Sequence, residues 1–99
     1  MANQLKITVL KKEIYQDLAD EYAADKAFPV CPRFEVGQEF ILDSHNCPEG
    51  FCSWAWADLQ RDVVAVYNGA SFPWIKEKGM IISACTDGLR PVIFKIEKI

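Results

Sequence analysis

The chain has 99 residues, a formal net charge of -3 at pH 7 and a sequence pI near 5.0. This length suits one domain, 1–99, because a second hydrophobic core would have too few residues. Nucleic-acid binding is disfavoured, since affinity for phosphates comes largely from lysines and arginines. No stretch resembles a membrane span or a signal peptide. We therefore expect a cytoplasmic protein that binds neither nucleic acid nor membranes.

The first half of the chain alternates between strand and helix patterns. Apolar residues recur at every second position over 4–12, which predicts a strand with one buried face. A four-residue apolar period over 13–24 predicts a helix. Two prolines then break the helix and place Cys31 in an extended loop. Alternation over 34–43 predicts a second strand, in which Gly37 marks a turn or bulge.

The second half begins with a longer helix and ends with two strands. Residues 53–68 carry an aromatic-rich apolar face, and Gly69 follows as the expected left-handed terminating residue. The alternating runs 80–86 and 92–99 predict a hairpin, with a left-handed glycine at Gly88 in its connection.

The element order is therefore β-α-β-α-β-β. It predicts an α+β domain with a four-stranded mixed or antiparallel sheet and two helices packed on one face. The strand order stays open. On the second helix, Asp58, Arg61 and Asp62 are expected to face solvent.

The four cysteines are spaced C-x15-C-x4-C-x32-C, without the short C-x2-C pairs of most zinc and iron-sulfur sites. In a reducing compartment they are expected to remain thiols. Their loop and element-end positions allow Cys31, Cys52 and Cys85 to converge on a metal ion, zinc or an iron-sulfur cluster. The commonest alternative is simple burial, since free cysteine packs as a small apolar residue.

Cys52 has the best local case for reactivity. It lies at a predicted helix start, where unpaired amides and the positive dipole end favour a thiolate. Its alternative role is to fill a gap beside Phe51 and Trp54. His45 precedes it by seven residues and follows Asp43, which together make a candidate base and orienting carboxylate. An isolated histidine in a turn is more often uninvolved.

Two segments carry a resemblance. The strings PEGFCSWAWAD at 48–58 and CTDGLRPVIFK at 85–95, together with the pair Cys31-Pro32, resemble the signature of a family of small bacterial and archaeal proteins of about this length. No activity is assigned to that family, so the resemblance implies no function. Cys47 lies outside the motif, which favours a three-thiol site over a four-thiol one. The residues that match the motif are Cys31, Cys52, Cys85, Trp54, Trp56 and Arg90.

One polar pair and one apolar loop segment are further candidate site residues. Asp87 and Arg90 flank the final turn, where they either shape the turn, pair with each other or hold a carboxylate. Phe72, Trp74 and Ile75 lie in a polar loop over 69–79 and form a candidate interaction surface.

The sequence contains no phosphate-binding glycine loop, H-E-x-x-H helix or nucleophile elbow. We therefore expect a non-enzymatic accessory or interaction domain, binding a protein partner or a second copy through Phe72, Trp74 and Ile75. The alternative is a thiol site at Cys31, Cys52 and Cys85, which binds a soft metal or cluster or performs redox chemistry. The weakest alternative is an enzyme that uses Cys52 with His45.

Overall fold

The computed structural model describes residues 4–25 and 27–99. It confirms the α+β class and the order β-α-β-α-β-β. The four strands form one sheet in the order β2-β1-β4-β3, and every neighbouring pair is antiparallel. The elements are β1 (Leu5–Lys12), α1 (Gln16–Tyr22), β2 (Glu39–Leu42), α2 (Ser53–Tyr67), β3 (Met80–Ala84) and β4 (Val92–Lys98).

One face of the sheet forms the core. Ile7 on β1 lies opposite Phe40 on β2 and Ile96 on β4, so the period-two pattern of each strand points to the same side. The register shifts between Val9 and Lys11, which leaves Leu10 as an extra, partly exposed residue on β1. The fully buried side chains of the sheet are Leu5, Ile7, Val9, Val92, Phe94 and Ile96.

Helix α2 covers this face. Leu59, Val63 and Val66 are fully buried against the sheet, and the helix contacts β1, β3 and β4. The predicted left-handed Gly69 is confirmed, with φ +93. Its amide donates to Val66 O, and the amide of the next residue donates to Ala65 O, which closes the helix in a Schellman motif.

Helix α1 and strand β2 are shorter than predicted. The amides of Glu13 and Tyr15 donate to the carbonyls of Pro91 and Leu89, so this backbone is already paired where the helix was expected to begin. The turn predicted at Gly37 is confirmed by its φ of +90 and by its amide, which donates to a β1 carbonyl. Because of that turn, β2 begins only at Glu39.

Two local predictions are wrong. Asp62 was expected to face solvent, but it is only 5% exposed, because α2 packs against β3. The hydroxyl of Ser83 on β3 donates to its carboxylate over 2.8 Å. Gly88 was expected to be left-handed, but its φ is not positive. Instead, Asp87 Oδ1 accepts hydrogen bonds from the amides of Leu89 and Arg90 and shapes the connection.

Within residues 4–25 and 27–99, neither helix is both long and apolar enough to cross a membrane.

Candidate functional site

Cys31, Cys52 and Cys85 line one cavity of about 180 Å³. They come from three parts of the fold: the loop before β2, the residue that precedes α2 and the residue that follows β3. All three thiols are half-buried and none is in a disulfide. The other residues that line the cavity are Arg33, Phe34, Trp54, Ala55, Asp87 and Arg90.

A tight turn places Cys52 at the start of α2. The amide of Phe51 donates to Pro48 O over 3.3 Å, and Gly50 adopts φ +80 within this turn. The buried ring of Phe51 then packs against Phe34, 5.1 Å away between ring centroids, and anchors the turn to the core. Cys52 is the N-cap of α2, and its side chain makes no capping hydrogen bond. The thiol therefore remains available to the cavity.

Contacts with both β4 and α2 hold Cys85. Its amide donates to Val92 O, and the amide of Val92 donates to Cys85 Sγ over 3.2 Å. The next residue, Thr86, is held by Asp58 on α2, whose two carboxylate oxygens accept from the Thr86 amide at 2.8 Å and hydroxyl at 2.9 Å. This pair fixes the end of β3 against the first turns of α2, where Cys52 lies.

Arg90 connects the Cys31 loop to the segment that follows Cys85. Its guanidinium lies 4.3 Å from the centroid of the Phe28 ring, and Nη1 donates to Pro29 O over 3.3 Å. Its Nε lies 3.7 Å from Asp87 Oδ2, so the predicted pairing of Arg90 with Asp87 is present. Arg90 thus draws the loop that carries Cys31 towards the other two thiols.

The metal version of the thiol site gains no support from this geometry. In the part of the chain that the structure describes, no group of three or more His, Cys, Asp or Glu side chains is arranged to hold a metal ion. Arg33 and Arg90 also line the cavity, and their positive charges oppose a bound cation. Zinc or an iron-sulfur cluster at Cys31, Cys52 and Cys85 stays a prediction from the sequence.

His45 does not line the cavity with Cys52. It is exposed, and its ring packs edge-on against Tyr67 with centroids 5.6 Å apart. The Tyr67 hydroxyl in turn donates to Asp43 O over 3.2 Å. The candidate triad of Asp43, His45 and Cys52 is therefore divided between a surface loop and the cavity.

Cys47 is also exposed and lies outside the residues that line the cavity. Partial desolvation of its thiol, and secondly the negative charge of the nearby Cys52 thiolate, raise the pKa of Cys47. A thiol with a raised pKa carries less of the reactive thiolate at neutral pH. Cys47 is thus the natural reference for the reactivity of the cavity thiols.

The candidate interaction loop exposes one large side chain. Trp74 is 70% exposed and lies against Phe72, with ring centroids 5.2 Å apart. Phe72 and Ile75 are half-buried and pack against the core. Trp54, at the cavity, is also 70% exposed, which the sequence analysis did not predict.

No sequence pattern indicated that Arg33 lines the cavity or that Asp58 holds Thr86. Arg33 follows Cys31 by two residues, and a turn at residues 32–33 brings it to the same cavity. Asp58 ends the string PEGFCSWAWAD, and Thr86 lies in CTDGLRPVIFK. Because both strings resemble parts of one signature, their occurrence together was the sequence signal that the two segments contact each other.

No protein-family model matches the chain, and comparisons with curated proteins and with solved structures likewise find no match. The resemblance to the family of small bacterial and archaeal proteins therefore stays a prediction from the two sequence strings.

Proposed function

We propose that the protein is a cytoplasmic thiol-exchange domain in which Cys52 is the attacking thiol and a second cavity thiol resolves the product. One observation carries the proposal: three cysteines from separate parts of the fold line one cavity. Cys52 lies at the N-terminus of a 15-residue helix, whose unpaired amides and positive dipole end favour an anionic sulfur.

The chemistry is thiol-disulfide exchange with a low-molecular-weight disulfide. The Cys52 thiolate attacks one sulfur of the disulfide, so that a mixed disulfide forms and one small thiolate leaves. Cys31 or Cys85 then attacks the Cys52 sulfur, which forms an internal disulfide and releases the second small thiolate. The two protons of the protein thiols pass to solvent. The protein is oxidised by two electrons, and the small disulfide is reduced.

Cys31 is the better candidate for the resolving thiol. The sulfur of Cys85 already accepts a hydrogen bond from the Val92 amide, and Asp58 holds the neighbouring Thr86. Cys31 lies in an irregular loop directly before a turn at residues 32–33 and packs partly against the core. The same loop contacts Arg90 through Pro29 O and Lys12 through Phe34 O. Within residues 4–25 and 27–99, Cys31 takes part in no hydrogen bond, so its sulfur is the freer of the two to reach Cys52.

The test is reaction of the reduced protein with 2-hydroxyethyl disulfide, followed by mass spectrometry of its peptides. We expect the first mixed disulfide at Cys52 and then an internal disulfide that contains Cys52. In Cys31→Ser, the mixed disulfide should accumulate, whereas Cys47→Ser, the matched control, should behave as the unmodified chain does. The proposal fails if Cys47 reacts first, or if Cys52→Ala leaves the internal disulfide yield unchanged.

The metal alternative has a separate readout. Elemental analysis of protein purified without oxygen measures zinc and iron per chain. Near-stoichiometric metal that is lost in Cys52→Ser would favour the metal site over thiol exchange, because metal-bound thiolates must be released before they attack a disulfide.

The exposure of Trp74 favours a second candidate function, self-association through the loop 69–79. A large aromatic side chain that is 70% exposed loses much apolar surface to water when a second copy covers it. Sedimentation equilibrium should show concentration-dependent dimers that Trp74→Ala weakens. Tyr22→Ala is the control, since Tyr22 is equally exposed on α1, at 69%. Equal effects of both variants would contradict a specific role for Trp74.

A further inference from the structure

The charged groups around the cavity indicate what kind of molecule enters it. We propose that the cavity binds a small carboxylate with an apolar body, held by Arg33 and Arg90 beside the three thiols. In placing a ligand next to Cys52, this inference rests on the proposed thiol exchange and names the group, a carboxylate on an apolar body, that a disulfide partner carries into the cavity. The binding step itself does not require the thiols to react.

Arg33 supplies an uncommitted positive charge. It is exposed and lines the cavity. Within residues 4–25 and 27–99, its guanidinium has neither a hydrogen bond nor an ion pair. A guanidinium presents parallel N–H donors that match the two oxygens of a carboxylate. Arg33 is therefore placed to bind a ligand carboxylate at the opening of the cavity.

Arg90 supplies a second positive charge with an unused donor. Its Nε is buried without a hydrogen-bond partner, because Asp87 Oδ2 at 3.7 Å is too distant for a hydrogen bond. Asp87 Oδ1 is already occupied by the amides of Leu89 and Arg90. Two guanidinium groups thus line the cavity with one carboxylate, so the charge of its side chains is positive while the thiols are protonated.

The first turn of α2 adds to this excess. Trp54 and Ala55 in that turn line the cavity, the turn contains no acidic residue, and the N-cap side chain makes no capping bond. Free amides at a helix start favour a negative charge. These groups support an anion, in addition to the two arginines.

The size and walls of the cavity select a carboxylate among anions. Phe34, Trp54 and Ala55 form an apolar side that suits a carbon body and gives nothing to inorganic phosphate. Asp87 also opposes a second negative charge on the ligand. A cavity of about 180 Å³ is similar to the roughly 150 Å³ cavity that holds benzene in another protein. The ligand is therefore a monocarboxylate of about benzoate size.

The direct test is titration of the reduced protein with benzoate, with benzamide as its neutral isostere, followed by NMR shifts of the backbone amides. We expect benzoate to shift the amides of Cys52, Trp54 and Ala55, and to bind at least about tenfold more tightly than benzamide. Arg33→Gln should weaken benzoate binding by about the same factor. Arg61→Gln is the control, because Arg61 is 88% exposed on α2 and does not line the cavity. Arg61 Nε also lies 3.3 Å from Oδ1 of buried Asp62, so the free energy of unfolding of this variant is measured alongside.

Three outcomes would overturn the inference: equal binding of benzoate and benzamide, equal effects of the two arginine variants, or tighter binding of inorganic phosphate than of benzoate. The same titration in Cys52→Ser separates the two proposals. If the unmodified chain fails the disulfide test and benzoate still binds to Cys52→Ser, the carboxylate site is supported and only thiol exchange is removed. Thiol exchange without charge-selective binding removes only the carboxylate site.

The charge of an alkylating reagent gives a second readout. Iodoacetate and iodoacetamide both alkylate a thiolate: a sulfur-carbon bond forms, the carbon-iodine bond breaks and iodide leaves. The iodoacetate-to-iodoacetamide rate ratio at Cys52, divided by the ratio at exposed Cys47, should exceed one by several-fold. Arg33→Gln should lower it, with the residual selectivity supplied by Arg90. A ratio that is already one in the unmodified chain contradicts a cavity that selects anions.

Discussion

The buried carboxylate of Asp62 accepts from the Ser83 hydroxyl at Oδ2 and from Arg61 Nε, 3.3 Å away, at Oδ1. Ser83→Ala removes the 2.8 Å hydrogen bond to Oδ2 and leaves a buried acceptor without this donor. We expect the free energy of unfolding to fall by about 1 to 3 kcal/mol, measured by urea denaturation. Ser53→Ala is the control, because Ser53 is exposed on α2 and its loss should cost less than about 0.5 kcal/mol. Equal losses would show that the hydroxyl does not stabilise Asp62.

The raised pKa of Cys47 predicts an alkylation profile displaced to high pH. The folded state holds the Cys47 proton more tightly, so the thiolate appears, and alkylation accelerates, at a higher pH than in the urea-unfolded chain. Cys52→Ser should lower the midpoint only in part, because it removes the charge of Cys52 but not the desolvation, which is the larger cause. A midpoint at or below that of the unfolded chain would contradict both causes.

At the scale of elements, the turn before α2 depends on a left-handed glycine. Gly50→Ala adds a Cβ that meets no atom within 4 Å, so its cost comes from φ +80 alone, about 1 to 2 kcal/mol of unfolding free energy. Gly88→Ala is a matched control, since its Cβ also meets nothing within 4 Å and its φ is not positive. Thermal denaturation of both variants measures the difference. A Gly88→Ala loss as large as that of Gly50→Ala would exclude the backbone explanation.

The contact between α2 and the end of β3 depends on Asp58. Asp58→Ala removes two hydrogen bonds to Thr86, which should lower the free energy of unfolding by about 1 to 3 kcal/mol. It should also raise the alkylation rate of native Cys85, because the residue that follows Cys85 is no longer held against α2. Gln60→Ala, on the exposed face of the same helix, should change neither quantity. Unchanged Cys85 reactivity in Asp58→Ala would mean that β4 alone holds this thiol.

For the whole molecule, stability comes from the single core between α2 and the sheet. Leu59 is fully buried in it, and Leu59→Ala should cost about 2 to 5 kcal/mol, a large share of the roughly 5 to 15 kcal/mol of a typical domain. Trp74→Ala should leave the free energy of unfolding within about 0.5 kcal/mol, because Trp74 is largely in solvent. Chemical denaturation followed by circular dichroism tests both. A larger loss for Trp74→Ala would place that loop in the core.

Elements with a regular period were predictable because a buried face imposes that period locally. The strand over 4–12 and the helix over 53–68 match β1 and α2 closely, and Gly69 ends α2 as expected. The start of α1 was not predictable, because its preceding amides pair with the carbonyls of Leu89 and Pro91, more than 70 residues away along the chain.

The candidate site likewise has features that local sequence patterns predict and features that only tertiary contacts decide. The sequence by itself determined the class, the order of the elements and the choice of Cys31, Cys52 and Cys85 as candidate site residues, since these follow from local periodicity, from two short strings and from the pair Cys31-Pro32. Only the tertiary structure decided the strand order, the burial of Asp62, the separation of His45 from Cys52, and the addition of Arg33 to the cavity. Each of these depends on contacts between segments distant in sequence, which no local pattern of side chains encodes.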